Sequence, residues 1–153
     1  MFKDTPLRLP NLCNPNPDLF CGGMPSPDDL RSAKKAGIRT VVNLCQPQET
    51  PPYEASLAQE LGLQYVQIPV GGPPDLTEAK ARELAAVVDN CANHPVLIHC
   101  MSGNRVGALL ALKASFADGA SAQEALQFGR ASGLKALEPA VWQIVSSRTA
   151  TAG

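Results

Sequence analysis

With 153 residues and a formal net charge of −1, the chain is long enough for one domain and has no basic surplus to attract nucleic acid. Hydrophobic residues make up 44% of the sequence, an ordinary share for a globular domain. No apolar run approaches the roughly 20 residues that cross a membrane, so neither nucleic acid nor a membrane is expected as a partner.

The N-terminus and the cysteines predict a cytoplasmic location. The first ten residues, MFKDTPLRLP, lack the apolar stretch of a secretory signal. The five cysteines are odd in number and widely spaced, which does not suggest a disulfide scaffold, so a reducing compartment is expected. We predict a single domain over residues 1–153, with an N-terminal arm at 1–16 and a frayed tail at 149–153.

The first elements follow a segment that is rich in proline and asparagine. Within residues 1–23, two short apolar pieces at 7–9 and 19–21 predict edge strands or an ordered arm. The run Ser26-Pro27-Asp28-Asp29 then combines a serine N-cap, a proline at the first helical position and an acid at the third. This pattern predicts the start of a helix, and Gly37 is expected to end it.

Strands and helices alternate through the rest of the chain. Apolar and β-branched runs predict buried strands at 38–44, 63–68 and 96–99. Helices are predicted at 54–61, from about 77 to 93, at 105–117, from 121 to about 133, and from about 137 to the tail. This alternation predicts an α/β fold with a mostly parallel four- to five-stranded sheet flanked by helices.

Two of these helices have informative faces. In the third, Leu84, Val87, Val88 and Cys91 recur at helical spacing and predict one buried face, after a cap at Asp75 or Thr77. The helix at 105–117 is apolar on most sides, with Lys113 as the main exception. A helix of that kind is expected in the middle of the fold.

The segment from Val96 to Gly107 has the strongest functional pattern. A buried strand runs into His99 and Cys100, then a short loop leads to Arg105 at the start of a helix. Loop N–H groups, the helix N-terminus and the guanidinium can all face one point and bind an anion there. A cysteine at the floor of such a site is expected to be a thiolate nucleophile suited to oxyanion chemistry.

The segment HCMSGNRVG resembles the signature loop of the cysteine-based protein tyrosine and dual-specificity phosphatases. The segment FCGGMPSPDDLRSAKKAGIRTVVNLCQPQE resembles small bacterial phosphatase-like proteins, which are named after a β-lactamase-hydrolase-associated domain. The resemblance extends over about residues 17–145. It implies a protein tyrosine phosphatase-like fold and hydrolysis of phosphate monoesters on a phosphorylated small molecule or phosphoprotein, with no metal or organic cofactor.

The resemblance also implies roles for individual residues. Cys100 would be the nucleophile, Arg105 would hold two phosphoryl oxygens, and His99 would hold the loop and help to keep the thiolate. The backbone amides that would bind phosphate belong to Met101, Ser102, Gly103, Asn104 and Arg105. Asp75 is the nearest candidate for the general acid, although a helix cap is an equally supported role. Cys45 ends a neighbouring strand, and the resemblance implies that it could form a reversible disulfide with Cys100.

Three departures from the phosphatase pattern keep two alternatives open. Only four residues separate Cys100 from Arg105, which is the loop length of rhodanese-type sulfurtransferases. The usual position of the general acid falls near Gly72, and Val106 stands where phosphatases place serine or threonine. The alternatives are a sulfurtransferase that forms a Cys100 persulfide and a non-catalytic phosphate-binding module.

Other polar residues are predicted to have no role in the site. Glu49 and Arg39 flank the segment that contains Cys45, and either could line the rim of a substrate site. We predict surface positions without function for both, because loops are mostly polar. Cys91 and His94 have the spacing of half a zinc site, but a structural zinc ion needs a second pair of ligands. Metal binding is therefore not expected.

Overall fold

The structure, a computed structural model, describes the backbone of residues 7–152 and the side chains of residues 7–147. Its sheet has five strands in the order β1-β2-β5-β3-β4, and every neighbouring pair is parallel except β1 and β2. The strands are β1 (Cys13–Asn16), β2 (Leu19–Gly22), β3 (Thr40–Asn43), β4 (Gln64–Gln67) and β5 (Val96–His99). The prediction of a mostly parallel α/β sheet is confirmed.

Six helices cover the two faces of this sheet. They are α1 (Pro27–Lys35), α2 (Tyr53–Glu60), α3 (Glu78–Val88), α4 (Asn104–Phe116), α5 (Ala122–Ala131) and α6 (Glu138–Ala152). Helices α1 and α2 pack on one face, and α3 to α6 pack on the other. Helix α4 is buried from Val106 to Ser115, which confirms its predicted central place. The predicted tail falls on the last turn of α6 and on residue 153, which lies outside the described residues.

Side-chain caps define where several helices begin. At α1, the Ser26 hydroxyl accepts a hydrogen bond from the Asp29 N–H at 3.1 Å, and the Asp29 carboxylate accepts one from the Ser26 N–H at 3.0 Å. Ser121 and Glu124 form the same box at α5. Of the two caps considered for α3, Thr77 is the residue that caps the helix, so Asp75 does not have that role.

Of the two alternatives for the N-terminal segment, residues 7–9 form an ordered arm, whereas residues 19–21 form a strand that does not lie at the edge. Residues 7–9 form no strand; Leu7 and Leu9 are buried against the α1 face of the sheet. The edge is instead β1, because a tight turn after Asn16 leads the chain directly back into β2. The piece at 19–21 is therefore an interior strand, and residues 13–16 of the predicted arm belong to the sheet.

One further prediction fails at the end of a helix. Helix α3 ends at Val88, and Cys91 is exposed in the following 3-10 turn, which the Asn90 side chain caps. Cys91 therefore does not continue the buried face. Lys113, the polar exception on α4, is buried, with its ammonium 2.9 Å from the carboxylates of both Asp89 and Asp118. In the part of the chain that the structure describes, no helix is long and apolar enough to cross a membrane.

Candidate active site

Cys100 lies at the carboxyl end of β5, the central strand of the sheet. It is 1% exposed, and its backbone N–H donates to the Gly22 carbonyl at 3.2 Å. The Gly103 N–H donates to the Cys100 Sγ at 3.0 Å. Gly103 has a φ of +97°, a backbone conformation that L side chains rarely adopt, so the turn into α4 favours glycine at this position. The thiol therefore meets a backbone donor inside the loop.

The loop predicted to bind phosphate, residues 100–105, has three of its carbonyl groups bonded to partners outside the loop. In a trans peptide, a C=O group and the N–H of the next residue point in opposite directions. Outward carbonyls therefore leave the following N–H groups directed into the loop, as the Gly103 contact with sulfur illustrates. The three carbonyls and their donors are Met101 with the Met24 N–H (3.2 Å), Ser102 with the Asn11 Nδ2 (2.7 Å), and Gly103 with the Gly107 N–H (3.1 Å).

Arg105 is held by two partners, and one edge of its guanidinium has no hydrogen-bond acceptor among the described residues. Its Nη1 donates to the Glu49 Oε1 at 2.8 Å and to the Val70 carbonyl at 2.7 Å, and its Nη2 donates to the Glu49 Oε2 at 3.0 Å. A guanidinium has five N–H donors. Among the described residues, the Nε–H and the second Nη2–H have no partner, and these two lie on one edge. That edge has the spacing that binds two oxygens of a phosphoryl group.

The Glu49 contact also determines the charge of the pair. Hydrogen bonding from Arg105 lowers the pKa of Glu49, and hydrogen bonding to Glu49 raises the pKa of Arg105. Both groups are therefore charged at neutral pH. The predicted surface position of Glu49 is wrong, because its carboxylate pairs with Arg105. Glu49 follows β3, whose carboxyl end lies beside that of β5. Its place just after that strand end was the signal available in the sequence.

His99 is fully buried beneath the loop, and within the described part of the chain it makes no hydrogen bond to the sulfur. Its Nδ1 is 3.2 Å from the Cys100 carbonyl, and its Nε2 is hydrogen-bonded to the Glu54 carboxylate. Glu54, in the first turn of α2, is also fully buried, and its Oε1 has no hydrogen-bond partner among the described residues. This arrangement supports the loop through its backbone, which is consistent with the expected role of His99. Sequence reasoning missed Glu54.

Among the described residues, the other side chains of the loop make no hydrogen bond to the Cys100 sulfur. The Met101 side chain is 47% exposed, and the Ser102 residue is exposed. The Asn104 side chain accepts hydrogen bonds from the N–H groups of Lys135 (2.8 Å) and Leu137 (3.3 Å). Asn104 thus ties the start of α4 to the segment before α6.

Asp75 lies on the loop that contacts Arg105. Its Oδ2 accepts a hydrogen bond from the Gly71 N–H at 2.7 Å, next to Val70, whose carbonyl binds Arg105. Within the described part of the chain, no hydrogen bond joins Asp75 to Cys100 or Arg105. Its role as the general acid stays a prediction.

Cys45 is buried close to the loop. Burial raises the pKa of its thiol to about 12, and the charges of Arg105 and Cys100 act on it in opposite directions. Both Cys45 and Cys100 are free thiols. Among the described residues, no group of three or more histidines, cysteines and acids is placed to hold a metal ion.

Most of the chain matches one protein family. Residues 14–140 match the family described as "DSP-PTPase phosphatase fused to NAD+ Kinase". The chain is 30% identical over 105 residues to the inositol diphosphatase DSP2 of Oryza sativa, covering 65% of this chain and 51% of that protein. It is 29% identical over 97 residues to the inositol diphosphatase DSP4 of Arabidopsis thaliana, covering 60% and 48%. The chain thus spans about half the length of these relatives.

The fold resembles a solved phosphatase structure along nearly its whole length. The core catalytic domain of the PP-IP phosphatase SIW14 from S. cerevisiae, solved in complex with citrate, superposes with a TM-score of 0.70. The match covers 94% of this chain and 92% of that domain at 18% identity. At this identity the likeness supports the fold alone.

Proposed function

Because this chain belongs to the family of DSP-PTPase phosphatases described as fused to NAD+ kinase, we propose that it hydrolyses phosphate monoesters with Cys100 as nucleophile. The phosphatase superfamily and the fold expected from the sequence are confirmed. One observation carries the assignment of the site: the Gly103 N–H contacts the Cys100 sulfur while Arg105 keeps a free two-donor edge. Every similar protein named above is a phosphatase or diphosphatase, which favours hydrolysis over sulfur transfer and over binding without turnover.

The reaction has two steps. The Cys100 thiolate attacks phosphorus, so that an S–P bond forms and the P–O bond to the leaving group breaks. The leaving oxygen takes a proton from Asp75 or from water. Water then attacks the phosphocysteine, which releases phosphate and restores the thiolate. In both steps the loop N–H groups and the free edge of Arg105 stabilise the charge on the phosphoryl oxygens.

A phosphorylated small molecule is the substrate class that we propose. The relatives are named inositol diphosphatases, and the similar structure is named a PP-IP phosphatase, so those proteins act on phosphorylated inositols. A comparison of a phosphorylated inositol with a phosphotyrosine peptide decides between this class and a phosphoprotein. Faster phosphate release from the inositol compound is the expected result.

The nucleophile is tested with one substitution and two assays. Cys100→Ser is expected to lower kcat for p-nitrophenyl phosphate by roughly 10⁴-fold, since the nucleophile is lost. Cys91→Ser is the matched control, because Cys91 is exposed and outside the site, and it is expected to keep full activity. Full turnover in Cys100→Ser would contradict the proposal. Sulfur transfer from thiosulfate to cyanide without phosphate release would contradict it in favour of the sulfurtransferase.

The general acid is tested with leaving groups of different basicity. Asp75→Asn is expected to lower kcat for phenyl phosphate by roughly 10²-fold, because the phenolate oxygen needs a proton as it leaves. For p-nitrophenyl phosphate, whose leaving group needs little protonation, the loss is expected to be less than tenfold. Equal losses on both substrates would indicate that Asp75 shapes the loop through Gly71 instead of transferring a proton.

We also propose that Cys45 forms a reversible disulfide with Cys100. Peroxide would oxidise the Cys100 thiolate to a sulfenic acid, and attack by the Cys45 sulfur would form the S–S bond and release water. Both thiols are buried at the same edge of the sheet, which supports the pairing. After peroxide treatment, peptide mapping should recover the Cys45–Cys100 crosslink, and dithiothreitol should restore activity. Over-oxidised Cys100 beside a free Cys45 would contradict the pairing.

A further inference from the structure

The segment before β1 passes beside the phosphate-binding loop in a strained conformation. Within residues 7–152, Asn11 is the one non-glycine residue with a positive φ, at 55°. Asparagine tolerates this left-handed region better than most residues, but the conformation still carries a cost. Strain of this kind is concentrated at functional sites, where surrounding contacts hold it in place. The contacts of Asn11 therefore indicate what the strain maintains.

The Asn11 side chain reaches the loop across 91 positions in sequence. Its Nδ2 donates to the Ser102 carbonyl at 2.7 Å. The preceding residue is anchored as well, because the Gly23 N–H donates to the Pro10 carbonyl at 2.8 Å. A Cβ at Gly23 would lie 2.5 Å from the Met101 carbonyl oxygen, so there is no free space between β2 and the loop at this point. The segment that contains Asn11 is thus anchored to β2 through Pro10, next to the loop.

The peptide group that Asn11 binds is the one that contacts the nucleophile. The carbonyl of Ser102 and the N–H of Gly103 belong to the same peptide, and they point in opposite directions. Asn11 donates to that carbonyl, and the N–H on the other side donates to the Cys100 Sγ at 3.0 Å. Hydrogen bonds in such a chain polarise one another, so a donor at the carbonyl strengthens the N–H on the opposite side.

We propose that Asn11 is a positioning residue of the active site, which orients and polarises the Ser102–Gly103 peptide toward the Cys100 sulfur. The same N–H remains directed into the loop when a phosphoryl group is bound, so Asn11 acts on the thiolate and on the phosphorylated intermediate. Asn11 lies outside residues 14–140, the part that matches the family. For turnover the inference rests on the proposed function, whereas its effect on the sulfur does not.

The test separates the side chain of Asn11 from its backbone conformation. Asn11→Gly keeps the positive φ without strain and removes the donor. Asn11→Asp keeps the shape and places a carboxylate against the Ser102 carbonyl. Leu12→Ala is the control. Leu12 is 40% exposed, so this substitution alters the same segment but leaves the hydrogen bond from Asn11 to the Ser102 carbonyl in place. The primary measurement is the rate at which iodoacetamide alkylates Cys100 as a function of pH, resolved by peptide mass spectrometry.

We expect Asn11→Gly to raise the pH midpoint of Cys100 alkylation by about half a unit to one unit, equal to about 3- to 10-fold less thiolate below the midpoint. Turnover of p-nitrophenyl phosphate should fall about as much, with a larger loss in Asn11→Asp and no change in Leu12→Ala. An unchanged midpoint in both Asn11 variants would overturn the inference. A loss of activity that is fully accounted for by a lowered Tm would also overturn the inference. If the unmodified protein does not hydrolyse the phosphate ester, the proposed function fails, while the alkylation profiles still decide the role of Asn11.

Discussion

Helix α4 carries one partly buried cation at each end, and their surroundings differ. Lys113, near the end of the helix, lies 2.9 Å from two carboxylates, those of Asp89 and Asp118. Arg105, at the start, lies against one carboxylate, that of Glu49. The ammonium group is thus surrounded by an excess of negative charge, whereas the guanidinium is balanced one to one.

The difference indicates which cation can bind an anion. At Lys113, the second carboxylate repels an incoming anion, and the two ion pairs join the end of α3 to the loop after α4. At Arg105, the planar group satisfies Glu49 and the Val70 carbonyl and still has two parallel N–H donors. Burial of a cation therefore does not by itself identify a binding site; the donors left over after the protein's own contacts do.

Among the substitutions that test this comparison of the two cations, Arg105→Lys is expected to have the largest effect. The lysine keeps the charge but loses the planar edge, so kcat/KM for p-nitrophenyl phosphate is expected to fall roughly 10²- to 10³-fold. The Tm should change little, since one ion pair to Glu49 can be kept. Steady-state kinetics and thermal unfolding on the same preparation measure both. Activity within threefold of the unmodified protein would show that a positive charge is enough at this position. The two free N–H donors would then not be what distinguishes Arg105 from Lys113.

The Glu49→Gln variant is expected to have an intermediate effect that depends on pH. Without the charged partner, Arg105 is held less firmly, and kcat/KM should fall by about tenfold at neutral pH. Arg105 lowers the pKa of Glu49 below its ordinary value of 4.5. The charged pair is therefore complete above pH 4.5 and is lost only as the pH falls through the lowered value. The activity ratio of the two proteins should be constant from pH 5.5 to 7.5; a ratio that falls within this range would contradict the assignment.

The smallest effect on catalysis is expected from Lys113→Met. Methionine fills the volume but leaves Asp89 and Asp118 without their partner, and both carboxylates are about half exposed, so water can solvate them. We expect a loss of about 1–2 kcal/mol in the free energy of unfolding, which corresponds to a Tm lowered by about 3–6 °C. The kcat/KM of the folded protein should be unchanged. A tenfold loss of kcat/KM without a change in Tm would show that Lys113 contributes to the site.

The sequence predicted helices and strands well where the signal lies within one element, as a capping residue or as the spacing of its apolar side chains. The capping boxes at Ser26 and Ser121 begin helices where expected, and the apolar run of α4 is buried as predicted. Predictions failed where packing against a neighbouring element decides which structure a segment adopts. The pattern of Leu7 and Leu9 suits a strand, yet those side chains fill the α1 face while Cys13–Asn16 takes the sheet edge.

By itself, the sequence determined that a strand, a short glycine-containing loop and a helix bring Cys100 and Arg105 together, because those residues are near in the chain and local backbone preferences shape the turn. The groups that complete the site come from far away: Glu49 lies 56 positions from Arg105, Glu54 lies 45 from His99, and Asn11 lies 91 from Ser102. Only the strand order β1-β2-β5-β3-β4 places their segments around the end of β5. Strand order depends on how whole elements pack, which no local pattern of residues encodes, so the tertiary structure alone decided which distant polar groups support Arg105, His99 and the loop.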